Sequence, residues 1–280
     1  MTDVFETYQK KKDYLVCIDS DGCVMDTMNI KHFQCFGPCM IREWGLELWQ
    51  QPILTLWNEI NLYTMTRGIN RFAGLAITLK EVDRKYKKIE GLEALEHWVQ
   101  SAEELSNKSL MRCMEEQDHA IFQKVLRWSE EVNREVNALP ESGKLPFAGA
   151  KEALRVISQV ADVAIVSSAN QQAIMEEWEK YGLLDHTAIV LSQDAGTKAY
   201  CIKRLMEKGY ADSHVLMVGD APGDRDAAFS NGALYFPILV RREKESWNRL
   251  VEEGMYTFLG EIYAGAYQEK LIQEFEENLS

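Results

Sequence analysis

Residues 14–22 read YLVCIDSDG: five largely apolar residues, Tyr14 to Ile18, run straight into Asp19, Ser20, Asp21 and Gly22. An apolar run of this length that stops abruptly at polar residues and a glycine is the pattern of a strand buried on both faces of a parallel sheet. The pattern returns three times. Val163 to Val166 (VAIV) precedes Ser167, Ser168, Ala169 and Asn170; Ala188 to Leu191 (AIVL) precedes the loop that leads to Lys198; Val215 to Val218 (VLMV) precedes Gly219, Asp220, Ala221, Pro222, Gly223 and Asp224. Between these runs, residues 171–181 place Ile174, Trp178 and Tyr181 on one helical stripe, and residues 198–208 do the same with Ile202, Leu205 and Met206. Gly182 and Gly209 follow where helix C-caps belong. Strands alternating with helices predict a doubly wound α/β domain on a parallel sheet.

The first run is followed by a long stretch, up to residue 162, with no comparable β pattern, far too much chain for one crossover between parallel strands. An inserted domain accounts for it. Residues 92–105 and 118–136 carry apolar side chains at helical spacing (Leu92, Leu95, Trp98, Val99; Ile121, Phe122, Val125, Trp128, Val132), and residues 44–62 are rich in Trp and Leu, so the insert is expected to be a helical bundle. Breakers at Pro140, Ser142, Gly143 and Pro146 mark its end. The expected organisation is therefore an α/β core over 1–26 and 141–246, a helical domain over 27–140, and an acidic helical extension over 247–280 to which no chemistry is assigned.

Composition narrows the function. With 44 acidic and 31 basic side chains in 280 residues, the formal net charge is −13, which repels polyanions and argues against nucleic-acid binding. No apolar run approaches the ~18–20 residues of a membrane span, and MTDVFETYQKKK has no apolar segment of a secretory signal, so a soluble cytoplasmic protein is expected. Six scattered cysteines do not make a disulfide scaffold, and His32, Cys35 and Cys39, though close in sequence, lack a second ligand pair for a structural metal. Oligomeric state is not encoded in any of these features.

In open α/β sheets ligands bind at the carboxyl ends of the strands, so the polar residues after each run decide the chemistry. Several carboxylates at one sheet edge repel one another unless a cation sits among them, and an all-oxygen donor set selects a hard ion, Mg²⁺ first. Lys198 and Ser167 add the positive charge and hydroxyl donor that a phosphoryl group requires. Asp19 and Asp21, two apart with a turn at Gly22, can take separate roles as nucleophile and acid/base. Each carboxylate taken alone could equally be a loop cap, and Asp26 or Thr27 reads as the N-cap of the first inserted helix.

Taken together, DSDGCVMD, the first Ser of IVSSAN, Lys198 in DAGTK and GDAPGDRD resemble, in order, the four motifs of the haloacid dehalogenase superfamily. The resemblance covers Asp13 to Asp26 and Leu145 to Val240. It implies a Rossmann-like core with a helical cap inserted after the first motif. It also implies that Asp19 attacks phosphorus to form an aspartyl-phosphate and that Asp21 serves as acid and then base. Mg²⁺ would be held by Asp19, the Asp21 carbonyl, Asp220 and Asp224, and phosphate by Ser167, Ser168 and Lys198. An acidic residue at Asp21 favours phosphate esters over the family's dehalogenase and phosphonatase chemistry. The implied substrate is a small phosphorylated metabolite. A phosphomutase, or an idle sensor that binds such a metabolite, is the alternative. Candidate specificity residues in the insert are Arg67, Asn70 and Arg71, with Gly68 able to break a helix between the arginines, and His32, one residue away from a cap histidine of the mutase branch.

Overall fold

The computed structural model describes residues 4–280, so the first three residues of the expected core segment lie outside it. Two compact units divide the chain, Met1–Thr27 with Lys144–Ser280 and Met28–Gly143. The divisions at 27/28 and 143/144 compare with the expected 26/27 and 140/141. No helix among the described residues is long and apolar enough to cross a membrane.

The first unit is built on a five-stranded, all-parallel sheet: β1 (Tyr14–Ile18), β2 (Ala161–Val166), β3 (Ile189–Leu191), β4 (Val215–Gly219) and β5 (Leu234–Pro237), in the order β3-β2-β1-β4-β5. The expected β1 matches residue for residue. β2 begins two residues before the expected Val163, because Ala161 and Asp162 already pair with Tyr14 and Leu15. Asp162 hides the strand from an apolar-run reading, yet it is buried and satisfied: its carboxylate accepts the Lys11 and Lys12 N–H groups at 2.8 and 3.0 Å and the Tyr210 hydroxyl at 2.6 Å.

The fifth strand has no counterpart in the expected pattern. Pro237 argues against a strand in a sequence, but here it closes an edge strand, where a missing donor is tolerated. The outer side of β5 is covered by side chains from the C-terminal segment. Tyr235 donates its N–H to Gln268 Oε1 at 2.9 Å and accepts the Tyr263 hydroxyl on its carbonyl at 2.8 Å, and Asn278 bonds both backbone groups of Val240. The segment read as an extension is thus part of this unit. Trp247, Leu250, Met255, Phe258, Tyr263 and Leu271 share one apolar cluster with Val16, Ile18, Val163 and Val218.

The chain leaves and re-enters this unit through a short clasp. Met25 forms an antiparallel bridge with Pro146, Asp26 donates its N–H to the Leu145 carbonyl, and Phe147 donates to the Val24 carbonyl, both at 2.8 Å.

The second unit is helical, with principal helices Gly37–Trp44, Gln50–Asn58, Arg71–Lys85, Leu92–Ser101, Asn107–Glu116 and Ala120–Asn137. Its core is aromatic: Phe36, Trp57, Phe72, Trp98, Phe122 and Trp128 contact one another at ring separations of 5.2–6.5 Å, the range of favourable offset and edge contacts. The two most buried indoles find acceptors, Trp57 on His32 Nδ1 at 3.0 Å and Trp128 on the Phe36 carbonyl at 3.2 Å.

Candidate functional site

Strand register gathers the polar strand ends. Ile18 lies opposite Ile165 on one side and Val218 on the other, so Asp19 emerges between the ends of β2 and β4, and its own N–H still donates to the Val218 carbonyl at 3.0 Å. The successive connections run in opposite directions from the β1–β4 pair, which makes this the crevice of the sheet.

Asp220 follows β4 directly and is buried. Asp224, the third residue of the helix Pro222–Phe229, turns back to accept the Ala221 N–H at 3.1 Å. Gly219 makes room for it: a Cβ there would lie 2.3 Å from Asp224 Cγ. Lys198 opens the helix Lys198–Met206, whose first turn Thr197 caps through the Tyr200 N–H. Its Nζ stands 2.8 Å from Asp19 Oδ2 and 2.6 Å from Asp224 Oδ1.

Asp19, Asp220 and Asp224 therefore present carboxylate oxygens that all lie within 4.8 Å of one another, each on a buried side chain. Burial pushes the Asp19 carboxyl up to about 6, with Asp224 adding to the rise and Lys198 opposing it. Burial likewise raises Asp224, against Lys198 and with Asp220. Burial disfavours the Lys198 ammonium, but the two carboxylates outweigh it and hold its pKa above that of an ordinary lysine. Three carboxylates around one ammonium leave negative charge in excess, and the donors are all oxygen. This set fits a hard divalent cation.

Asp21 sits on the turn after Asp19. Gly22 adopts a positive φ of 80°, and the Cys23, Val24 and Met25 N–H groups all converge on the Ser20 carbonyl. The Thr27 hydroxyl donates to Asp21 Oδ1 at 2.5 Å. Thr27, read from sequence as a helix cap, is thus a residue that orients the expected acid/base, a contact six positions away that no spacing rule signalled. Ser167, at the end of β2, is buried and its Oγ accepts the Ala169 N–H at 3.2 Å, whereas Ser168 is exposed. Asn170 caps the helix Gln171–Lys180.

The four candidate specificity residues are all engaged within the helical unit. Gly68, with φ of 69°, lies in a turn ahead of the helix that begins at Arg71, so the two arginines do not share a helix. Buried Arg67 donates to the Leu62 carbonyl at 2.8 Å. Asn70 accepts the Phe72 N–H as the cap of the helix Arg71–Lys85. Arg71 donates to Asn133 Oδ1 at 2.7 Å and stacks its guanidinium over Phe36 at 5.0 Å, and burial lowers its pKa to about 10. His32 is stacked on Phe36 with Nδ1 accepting from Trp57, which makes its neutral tautomer carry the proton on Nε2.

Residues 58–235 match the family model described as haloacid dehalogenase-like hydrolase. The chain belongs to this family. The matched stretch of the hydrolase contains Ser167, Lys198, Asp220 and Asp224, while Asp19 and Asp21 precede it. Among solved structures, the chain is similar to a haloacid dehalogenase-like hydrolase of Bacteroides fragilis (13% identity, 84% of this chain and 93% of that one, TM-score 0.49). It is also similar to a haloacid dehalogenase-like family protein of Streptococcus pneumoniae (12% identity, 80% and 83%, TM-score 0.48) and to the HAD-hydrolase YfnB of Bacillus subtilis (14% identity, 80% and 86%, TM-score 0.47). No curated protein sequence matches the chain.

Proposed function

We propose that this hydrolase is a Mg²⁺-dependent phosphatase of the cytoplasm that acts on a small phosphorylated metabolite through an aspartyl-phosphate on Asp19. The observation that carries the reading is the buried cluster of Asp19, Asp220 and Asp224 braced on Lys198 at the carboxyl ends of β1 and β4. Asp19, Asp220 and Asp224 would hold the ion, together with the Asp21 carbonyl. When bound, Mg²⁺ supplies positive charge that balances the carboxylates and the phosphoryl oxygens.

The chain's own groups divide the remaining work. Lys198 keeps the Asp19 carboxylate ionised and, with the Ser167 hydroxyl, offers donors to the phosphoryl group. An Asp19 oxygen forms the new bond to phosphorus as the ester oxygen leaves, and Asp21 delivers its proton to that oxygen. The same carboxylate, held by Thr27, then takes a proton from the water that attacks the phosphoryl group, which releases phosphate and restores Asp19.

The test is phosphate release from sugar phosphates, nucleotides and an aryl phosphate, with Mg²⁺ or with EDTA, by wild type and Asp19→Asn. Release that needs Mg²⁺ and disappears in the variant is expected; a fully active Asp19→Asn protein refutes the mechanism. A product that retains the phosphoryl group, formed only after priming by a bisphosphate, would identify a phosphomutase instead.

A further inference from the structure

We propose that Trp178 and Trp247 are positioning residues for the acid/base loop, and that the C-terminal segment is thereby part of the active-site machinery. The proposal rests on the phosphatase reading above, since it assigns the loop a role through Asp21. Residues 20–25 form a turn that closes on itself: the Ser20 carbonyl receives the N–H groups of Cys23, Val24 and Met25 at 3.3, 2.9 and 2.9 Å, and Gly22 donates to the Met25 carbonyl at 2.8 Å. A turn so closed is a small rigid body. Its placement over the sheet edge depends on what grips it from outside.

Two buried indoles do so at the residues on either side of Asp21 and Gly22. Trp178 Nε1 donates to Ser20 Oγ at 2.9 Å, and Trp247 Nε1 donates to the Cys23 carbonyl at 3.1 Å. Both rings are fully buried in the core cluster of the α/β unit, so neither can swing away without opening it. An indole nitrogen is a donor only, and a buried donor that loses its acceptor is costly, so both bonds hold the loop in one place. Trp178 comes from the helix Gln171–Lys180 that follows Ser167, whereas Trp247 comes from the helix Glu243–Arg249, beyond the family-matched stretch. The same C-terminal segment also steadies the strand that leads to Asp220. Tyr263 and Gln268 fix the Tyr235 backbone, and the Tyr235 hydroxyl donates to the Gly219 carbonyl at 3.0 Å.

Trp247→Phe keeps most of the ring and removes the donor. Two readouts separate positioning from bulk stability. Aryl phosphates leave without a proton and alkyl phosphates do not, so a displaced Asp21 penalises the alkyl ester selectively. We expect kcat/KM to fall about three- to tenfold for an alkyl phosphate, the effect of one buried hydrogen bond, and less than about twofold for an aryl phosphate. Hydrogen exchange of the amides at 22–25 should quicken by a similar factor while that of β1 stays unchanged. Equal losses on both esters, or unchanged exchange at 22–25, overturn the proposal. A wild type inactive on both esters overturns the phosphatase reading and the acid-positioning role with it, while exchange still decides whether Trp247 pins the loop. Should Trp247→Phe fail to fold, Ser20→Ala removes the acceptor of Trp178 with little change in volume and is read by the same two measurements.

Discussion

Replacing Gly219 by alanine is expected to disable the carboxylate cluster while leaving the sheet in register. The added Cβ would meet Asp224 at 2.3 Å from Cγ, 2.4 Å from Oδ2 and 2.5 Å from Cβ. Ordinary contact between such atoms begins at about 3.5 Å, so the carboxylate must withdraw by roughly 1 Å or more. That movement breaks its bonds with the Ala221 N–H (3.1 Å) and the Lys198 ammonium (2.6 Å). Charge-assisted bonds of this kind contribute about 1.5–3 kcal/mol each, and partial relaxation recovers some of the loss, so a destabilisation of about 2–4 kcal/mol is expected without Mg²⁺. Misplacing one ligand by ~1 Å lowers turnover by about 100-fold and raises the Mg²⁺ needed for half-saturation by tenfold or more. The assay is a Mg²⁺ titration read both by phosphate release and by the thermal midpoint. Gly223→Ala is the control. It lies on the helix that carries Asp224, its Cβ would meet nothing within 4 Å, and it should leave the Mg²⁺ response intact with stability unchanged or raised by up to about 1 kcal/mol. A Gly219→Ala protein stabilised by Mg²⁺ as strongly as wild type would refute the assignment of Asp224 to the cluster.

Asp19→Asn should abolish turnover and Asp21→Asn nearly so, with the far-ultraviolet circular dichroism of both unchanged; retained steady-state activity in either would contradict its role. Thr27→Val removes the hydroxyl that donates to Asp21 and should lower kcat more than it raises KM, measured by initial rates on an alkyl phosphate. In EDTA the thermal midpoint should rise as pH falls from 7 to 5. The Asp19 carboxyl, held near 6 by burial against an ordinary value of 3.8, binds its proton more readily in the folded than in the unfolded chain, so its contribution is present at low pH and lost as pH climbs through 6. Asp19→Asn should flatten that slope, and a wild-type midpoint insensitive to pH over this window would count against the electrostatic account.

The parts of the fold that were legible were those in which local chemistry and burial coincide. Tyr14–Ile18 is apolar because both faces of a central strand are covered, and the residues after it are polar because the strand ends at the crevice. Register then does what no local pattern can, bringing Asp19 beside Asp220 and, across a helical turn, Asp224. What escaped the sequence shares one trait: its explanation lies far along the chain. Pro237 disguised β5, whose outer backbone groups are satisfied by Gln268 and Tyr263. Asp162 interrupted an apolar run but serves the Lys11 and Lys12 backbone and Tyr210. Trp178 read as one residue of a helical stripe and Trp247 carried no reading of its own, yet their N–H groups reach Ser20 and Cys23 across 158 and 224 residues.

The clasp of Met25 with Pro146 and of Asp26 with Leu145 makes the junction a graft point. Because it closes the chain on the core side, the sheet need not register how much polypeptide lies beyond it, and doubling such an excursion costs only about 0.6 kcal/mol in loop entropy. Residues 28–143 are therefore expected to tolerate a change of length with β1 and β4 kept in register, which the circular dichroism and thermal midpoint of a variant with a shortened insert would check.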